Sequence, residues 1–324
     1  MYTVDQLQEK LRSALNTINY NREPIEIYEP VAYALSQGGK RMRPVLTLLS
    51  CDMFGGDVDN AIEAAIGIEI FHNFTLLHDD IMDDAPLRRG KETVYKKWNT
   101  NRAILSGDMM MILASKYVSK VDTSLLKDVL GAFNKAAGEV CEGQQYDMNF
   151  ETAQHISIRD YLKMIRLKTA VLLAASLEIG AIIAGAGNEN INKIYKFGEN
   201  IGLAFQLQDD LLDVYGKQEK FGKKTGGDIV ANKKTYLYLK AFELAKGKDL
   251  ESLTKYYTEK NIDKEAKIRA IKEMYDKLEV KLHVEKEINN YYSEASRMLA
   301  EINIPDENKK ELNNLADKLL IRDY

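Results

Sequence analysis

The sequence is poor in cysteine and proline. Only two of its 324 residues are cysteines, Cys51 and Cys141, so neither a disulfide framework nor a cysteine-ligated zinc site is available. None of the five prolines lies within residues 87–304, and this stretch can form long helices because proline breaks a helix interior. The first residues lack a basic segment followed by an apolar core, so we expect no signal peptide and a reducing cytoplasm.

An excess of either charge is also missing. The chain has 45 Lys and Arg residues against 49 Asp and Glu residues, a net charge of −4. A general nucleic-acid-binding protein would carry a basic excess, so we expect no nucleic-acid partner. Apolar residues make up 45% of the chain and charged residues 29%, which is typical of a folded globular protein rather than a disordered one.

The sequence contains one long apolar run, residues 170–187. Its length approaches that of a membrane-spanning helix. However, the run includes Glu178 and several small residues suited to close helix packing, and no second run of this kind occurs. We therefore expect a buried central helix and no membrane span.

Helical periodicity dominates the rest of the chain, and sustained alternation of apolar and polar residues is missing. Residues 274–302 carry an apolar stripe that ends before Pro305, whereas residues 61–78 and 170–184 are apolar on nearly all sides. No linker-like segment divides the sequence. These patterns predict an all-α protein with one large domain, residues 1–324, in which long helices surround a buried layer.

The most informative segment contains Asp79, Asp80 and Asp83. Asp79 and Asp83 are four residues apart, so a helix places them one turn apart on one face, where like charges repel. Pro86 predicts that the helix ends just after Asp84, which puts the carboxylates at the end that the helix dipole makes unfavourable for anions. A bound cation would compensate, and oxygen ligands favour Mg²⁺.

The same spacing recurs at Asp209, Asp210 and Asp213, and Tyr215-Gly216 predicts another helix end. One such cluster could simply be a helix end exposed to water, but two copies within apolar helices argue against that interpretation. Two acidic walls that face each other would hold several Mg²⁺ ions around one diphosphate.

Basic residues are clustered as well. Residues 37–44 (QGGKRMRP) place Lys40, Arg41 and Arg43 beside a Gly-Gly turn, and Arg88 and Arg89 follow the first acidic cluster. Arginine binds phosphate oxygens in a bidentate manner, and lysine adds a point charge. His72 lies two helical turns before Asp79 on almost the same face, which favours ligand contact over ordinary core packing.

Five motifs in this order resemble those of the trans-type prenyl diphosphate synthases, the short-chain branch in particular: GGKRMRP, LLHDDIMDDAPLRRG, LKTA, FQLQDDLLD and GKKTGGDIVANKKT. The similarity runs from about residue 35 to residue 240. The resemblance implies an isoprenoid synthase-like bundle of antiparallel helices around a central apolar cavity, a homodimer, and three Mg²⁺ ions with bound allylic diphosphate. The implied substrates are isopentenyl diphosphate and an allylic diphosphate.

The resemblance also implies roles for single residues. Magnesium ligands come from both acidic clusters: Asp79, Asp80, Asp83, Asp209, Asp210 and Asp213. Arg88 would contact the allylic diphosphate. Four residues would bind the diphosphate of isopentenyl diphosphate without metal: Lys40, Arg43, His72 and Arg89. The allylic side would be completed by Lys168, Gln206, Lys233 and Thr169. Of these, Thr169 would lie at a helix distortion. Either Lys223 or Lys224 would also contribute; the spacing to Lys233 favours Lys224.

Product length should depend on the helix before Asp79. Phe71, Phe74 and Thr75 lie 8, 5 and 4 residues before Asp79, within an arc of about 100° on an ideal helix. In the family an aromatic residue at the position of Thr75 shortens the product to farnesyl. A phenylalanine at the position of Phe74, by contrast, resembles the pattern of geranylgeranyl synthases. We expect a C15–C20 product, with C20 slightly preferred, although ordinary core packing of the two phenylalanines is the alternative.

Three other classes fit less well. A terpene cyclase shares the fold and an acidic cluster, but would have no reason to keep Lys40, Arg43 and Arg89 beside a second complete aspartate motif. A non-catalytic subunit of a heteromeric synthase should have degraded acidic motifs. A purely structural helical protein leaves both acidic helix ends unexplained.

Overall fold

The computed structural model describes residues 1–216, 225–259 and 261–320, and nearly all of its regular structure is helical. This confirms the all-α prediction. The helices are α1 (Val4–Asn16), α2 (Ile25–Ser36), α3 (Met42–Met53), α4 (Ile62–Met82), α5 (Val94–Lys97), α6 (Thr100–Val118), α7 (Leu126–Thr152), α8 (Ile158–Ile165), α9 (Val171–Ile183), α10 (Asn188–Tyr215), α11 (Gly227–Val230), α12 (Tyr236–Leu244), α13 (Lys248–Thr258), α14 (Lys264–Lys277), α15 (Val280–Ala300) and α16 (Asp306–Leu320). A 3-10 helix covers Val58–Ala61, and a π-helical segment covers Arg166–Ala170.

The only strands among the described residues form a two-stranded antiparallel hairpin. Strands β1 (Leu87–Arg88) and β2 (Lys91–Glu92) pair just after α4. Gly90 adopts a positive φ in the connecting turn, and so does Arg89, with φ 53°. The hairpin thus fixes the backbone of two candidate diphosphate-binding arginines.

The residues of the chain group into two compact units, each held together by close contacts. The first comprises Met1–Ala137, Ala175–Tyr195 and Ile302–Leu312. In this unit the apolar helix α4 packs against α3 and α6, and its residues from Ala64 to Phe71 are buried. α3 also approaches α9 closely: Ser50 Oγ donates a hydrogen bond to the Leu177 carbonyl at 2.7 Å, and a Cβ at Gly180 would collide with the backbone of Thr47.

The second unit comprises Gly138–Ala174, Lys196–Glu301 and Asn313–Tyr324. Its core contains apolar residues of α10, α12, α14 and α15, including Leu207, Leu211, Leu237, Ile271 and Val284. Four of the five boundaries between units fall inside continuous helices. The single-domain organisation of residues 1–324 stays a prediction.

Two helix ends differ from the sequence expectation. α4 ends at Met82 rather than just after Asp84, because Asp84 already adopts a left-handed conformation with φ 48°. The apolar stripe of residues 274–302 spans two helices, since Glu279 adopts φ 55° between α14 and α15, and Leu282 is 59% exposed. Residues 171–183 of the apolar run form the buried helix α9, and no helix in the described part of the chain is long and apolar enough to cross a membrane.

Candidate active site

The first acidic cluster lies at the end of α4, as the spacing predicts. Asp79 is half-buried and Asp83, the C-cap, is exposed. Asp80 is buried, and Arg88 Nε donates a hydrogen bond to its Oδ1 at 2.6 Å. Burial raises the pKa of Asp80, and the Arg88 guanidinium partly offsets this effect. The two outer carboxylates are therefore accessible, while the middle one holds Arg88.

Arg89 reaches back from the hairpin to the glycine turn of the first basic motif. Its Nη1 donates a hydrogen bond to the Gly38 carbonyl. Gly39 adopts φ 129°, and a Cβ there would lie 2.7 Å from Arg89 Nη2. The Gly-Gly pair is thus required both by its backbone conformation and by the close approach of the guanidinium. Lys40 follows on the surface, and its carbonyl accepts a hydrogen bond from Gln8 Nε2 at 3.3 Å.

Arg43 and His72 are brought together. Arg43 Nη1 lies 3.1 Å from His72 Nε2, and because the guanidinium can only donate, the ring nitrogen accepts. Burial and the positive charges of nearby arginines, Arg43 first, hold the pKa of His72 well below its usual value. Burial also lowers the pKa of Arg43 to about 10. His72 is therefore neutral and has its proton on Nδ1, where it can serve as a donor.

The second acidic cluster repeats this arrangement at the end of α10. Asp209 is exposed, Asp213 is half-buried and Asp210 is buried. Asp210 accepts hydrogen bonds from the Tyr161 hydroxyl and, at 3.1 Å, from Gln206 Nε2. Burial raises the pKa of Asp210 to about 8, so a cation nearby would be needed to keep it charged at neutral pH.

The helix that follows α8 carries two further residues of the candidate site. Thr169 and Lys168 lie in the π-helical segment, so the helix distortion that the family resemblance implies is present. Thr169 Oγ1 donates a hydrogen bond to Gln206 Oε1 at 3.1 Å, and Lys168 Nζ lies 2.6 Å from Asp147 Oδ2. A Cβ at Gly143 would collide with the backbone of Lys168. The absence of a side chain at Gly143 therefore allows α7 to approach the π-helical segment this closely.

The last motif packs against the same acidic cluster. The Asp228 amide donates a hydrogen bond to Asp213 Oδ2 at 3.0 Å, and burial raises the pKa of Asp228 to about 6. Lys233 is exposed. The neighbouring Lys234 Nζ contacts the carbonyls of Phe150, Glu151 and Ala153 at 2.6–3.2 Å at the end of α7. Lys223 and Lys224 lie outside the described residues.

The predicted chain-length residues form an aromatic stack. Phe71 is fully buried, and its ring centroid lies 5.6 Å from that of Phe74 and 5.4 Å from that of Phe133 on α7. Thr75 is half-buried and donates a hydrogen bond to the His72 carbonyl at 2.8 Å. Phe133 therefore continues the stack that begins at Phe74.

Sequence reasoning missed Tyr161, Asp147, Phe133 and Asp228. Tyr161 lies 49 residues before Asp210, and nothing in the local sequence links them. Asp228 belongs to a quoted motif, and its buried contact with Asp213 is the signal that assigns it to the site.

The acidic residues fit magnesium. Both clusters present oxygen ligands only, and in each an aspartate whose charge is disfavoured by burial adjoins accessible carboxylates. Among the described residues, no three His, Cys, Asp or Glu side chains could hold a metal ion by themselves. Magnesium usually binds through one or two carboxylates, water and substrate phosphates.

The comparisons with known proteins agree with the motifs. The family model of the polyprenyl synthetases matches residues 24–275. A geranylgeranyl pyrophosphate synthase of Geoglobus acetivorans is 37% identical, covering 98% of this chain and 96% of the relative. A geranylfarnesyl diphosphate synthase of Natronomonas pharaonis is 36% identical, covering 72% and 73%. A crystal structure of a geranylgeranyl pyrophosphate synthase has 42% identity and a TM-score of 0.95, covering both chains completely.

Gly39→Ala tests the contact between the glycine turn and Arg89. The family resemblance implies that Arg89 binds the diphosphate of isopentenyl diphosphate, so we expect the new Cβ to displace the guanidinium and to weaken binding of this compound about tenfold, as measured by calorimetry. Gly55→Ala is the control, because Gly55 also has a positive φ but no neighbour within 4 Å. Both variants should lower the free energy of unfolding by about 1 kcal/mol or more. Equal binding of isopentenyl diphosphate by both variants would contradict the assignment of Arg89 to its diphosphate.

Proposed function

The chain belongs to the polyprenyl synthetase family, as a short-chain trans-prenyl diphosphate synthase, and on this premise we propose a magnesium-dependent head-to-tail condensation. Its substrates would be isopentenyl diphosphate and an allylic diphosphate, dimethylallyl, geranyl or farnesyl. The product would be an all-trans C15–C20 prenyl diphosphate, with release of diphosphate. The observation that carries this proposal is the repeated cluster, in which a buried, hydrogen-bonded aspartate adjoins two accessible ones.

The reaction needs stabilisation of a leaving group rather than a nucleophile. Ionisation of an allylic diphosphate leaves a carbocation and a departing diphosphate. Bound magnesium, for which three ions are expected, would neutralise the charge that develops on the diphosphate. Asp79, Asp83, Asp209 and Asp213 would hold it, with Asp80 and Asp210 in support.

The chain's cationic residues would share this task. Arg88, held by Asp80, and Lys168, Lys224 and Lys233 would bind the allylic diphosphate. Thr169 in the π-helical segment and Gln206 on α10 share a hydrogen bond, and their polar atoms would face the carbocation. Lys40, Arg43, His72 and Arg89 would bind isopentenyl diphosphate. The π bond of isopentenyl diphosphate would then attack the allylic carbocation. The product would lose a proton, which the released diphosphate would accept.

The first test is incubation of the purified chain with both diphosphates, with and without Mg²⁺. Asp83→Asn should lower kcat about a hundredfold or more, because a charged ligand of the leaving-group site is lost. Asp84→Asn is the matched control: Asp84 is the next residue, is exposed, and accepts a hydrogen bond from the Tyr95 hydroxyl at 2.9 Å. Elongation without a divalent cation, or a cyclised hydrocarbon product, would contradict the proposal.

We place the limit on product length at the stack of Phe74 and Phe71, with Thr75 leaving the next level open. The prenyl chain would grow along α4 away from Asp79. The relatives include both geranylgeranyl and geranylfarnesyl synthases by name, and Phe74 favours C20.

Phe74→Ala should add at least one isoprene unit to the product, because it removes the outer ring of the stack. Thr75→Phe should act in the opposite direction and shorten the product to C15. Mass spectrometry of the dephosphorylated products measures both changes. Phe54→Ala is a control, since Phe54 is also half-buried but lies outside α4. Unchanged product length in Phe74→Ala would exclude this residue as the limit.

We also propose a homodimer. α6 exposes Ile104, Leu105 and Ile112 by 41%, 55% and 61%, and the last two lie two turns apart on one face. A second copy of the chain would cover this apolar surface. A cytoplasmic location stays a prediction.

Ile112→Asp should convert the dimer to a monomer in sedimentation velocity experiments, because a carboxylate would be buried at the interface. Leu282→Asp provides the control, as Leu282 is 59% exposed on α15 and should leave the dimer intact. A monomeric wild-type chain would contradict the proposal.

A further inference from the structure

Glu69 is a buried carboxylate that the proposed reaction does not use. It lies on α4, ten residues before Asp79, and is 2% exposed. Its Oε1 accepts hydrogen bonds from Arg41 Nη1 at 2.6 Å and from Asn73 Nδ2 at 2.8 Å. A buried charge is costly unless it is paired, so this carboxylate requires the arginine beside it.

Arg41 is held from two sides. Its Nη2 donates a hydrogen bond to the Leu35 carbonyl at 2.7 Å, near the end of α2, while Nη1 binds Glu69. The residue is the N-cap of α3 and adopts a left-handed conformation with φ 51°, which is rare for a residue with a side chain. The side-chain contacts supply a reason for this strained backbone to persist. They also fix the direction in which α3 starts, and thus the position of Arg43 two residues later.

Glu69 is also close to the two other arginines of the basic cluster. Its charge interacts favourably with those of Arg43 and Arg89, which repel each other. Glu69 Oε2 and Arg43 Nε are both buried and have no hydrogen-bond partner among the described residues.

We propose that Glu69 is a positioning residue for isopentenyl diphosphate: it fixes Arg41 at the start of α3 and gathers Arg43 and Arg89 into a preformed diphosphate site. Glu69 does not touch the substrate. It acts through the arginines, whose mutual repulsion would otherwise drive them apart when no diphosphate is bound. The inference rests on the proposed function, because the proposed function assigns Arg43 and Arg89 to the metal-free diphosphate site.

Glu69→Gln separates positioning from net charge. The glutamine has the same shape and can still accept from Arg41, but it removes the negative charge. Loss of a negative charge beside an anion site would by itself strengthen anion binding, so weaker binding would report displaced arginines. We expect the Kd of isopentenyl diphosphate, titrated alone without metal, to rise about tenfold or more.

Steady-state kinetics gives a second readout. The KM for isopentenyl diphosphate should rise in Glu69→Gln, while the KM for the allylic diphosphate stays within about twofold. Glu69→Asp keeps the charge and should recover part of the lost affinity. If the full truncation Glu69→Ala does not fold, the isosteric and the shortened variants still decide the question.

Glu199→Gln is the matched control. Glu199 is likewise buried and ion-paired, to Arg166 at 3.2 Å and Lys196 at 2.7 Å, and neither of these partners belongs to the basic motif at residues 37–44. It should lower thermal stability without a selective change in isopentenyl diphosphate binding. Unchanged or tighter binding in Glu69→Gln, or equal losses for both substrates in both variants, would overturn the inference. A wild-type chain that neither binds isopentenyl diphosphate nor elongates a prenyl chain would instead overturn the proposed function.

Discussion

Repulsion among the carboxylates within each acidic cluster, one at the end of α4 and one at the end of α10, is the constraint that the residues around each cluster meet. In both clusters the middle aspartate turns inward and finds hydrogen-bond partners, so only the two outer ones remain accessible. The partners differ in chemistry: Asp80 has the guanidinium of Arg88, whereas Asp210 has the neutral Tyr161 and Gln206. The charge of Asp210 is consequently more sensitive to a bound cation than that of Asp80.

Strained backbone surrounds the basic side of the site. Arg41, Asp84 and Arg89 all adopt a positive φ, which costs of order 1 kcal/mol or more for each residue with a side chain. Each is held by a specific contact: Arg41 by Glu69, Asp84 by Tyr95, and Arg89 by the Gly38 carbonyl. At Arg41 the strained turn and the buried carboxylate of Glu69 therefore stabilise one another.

Local patterns in the sequence determine much of this picture. The spacing of the aspartates, the proline-free stretch and the Gly-Gly turn are short-range signals, and they predicted the all-α fold and both acidic helix ends. Contacts between distant residues left no such signal, as with Tyr161 and Asp210 or Phe71 and Phe133. The break at Glu279 was also missed, because neither glycine nor proline marks it and the apolar periodicity continues across it.

The π-helical segment at residues 166–170 makes the candidate site, rather than the helix itself, sensitive to a change of length. Such a segment accommodates one residue more than a regular helix over the same rise. Deletion of a single residue there would let the helix become regular, at little cost to its own hydrogen bonds. The helices on either side would keep their orientation, but the distortion that carries Lys168 and Thr169 would be lost, and with it the contacts of Lys168 with Asp147 and of Thr169 with Gln206. A single-residue deletion in this segment should therefore leave the fold intact while it removes these two contacts from the candidate site.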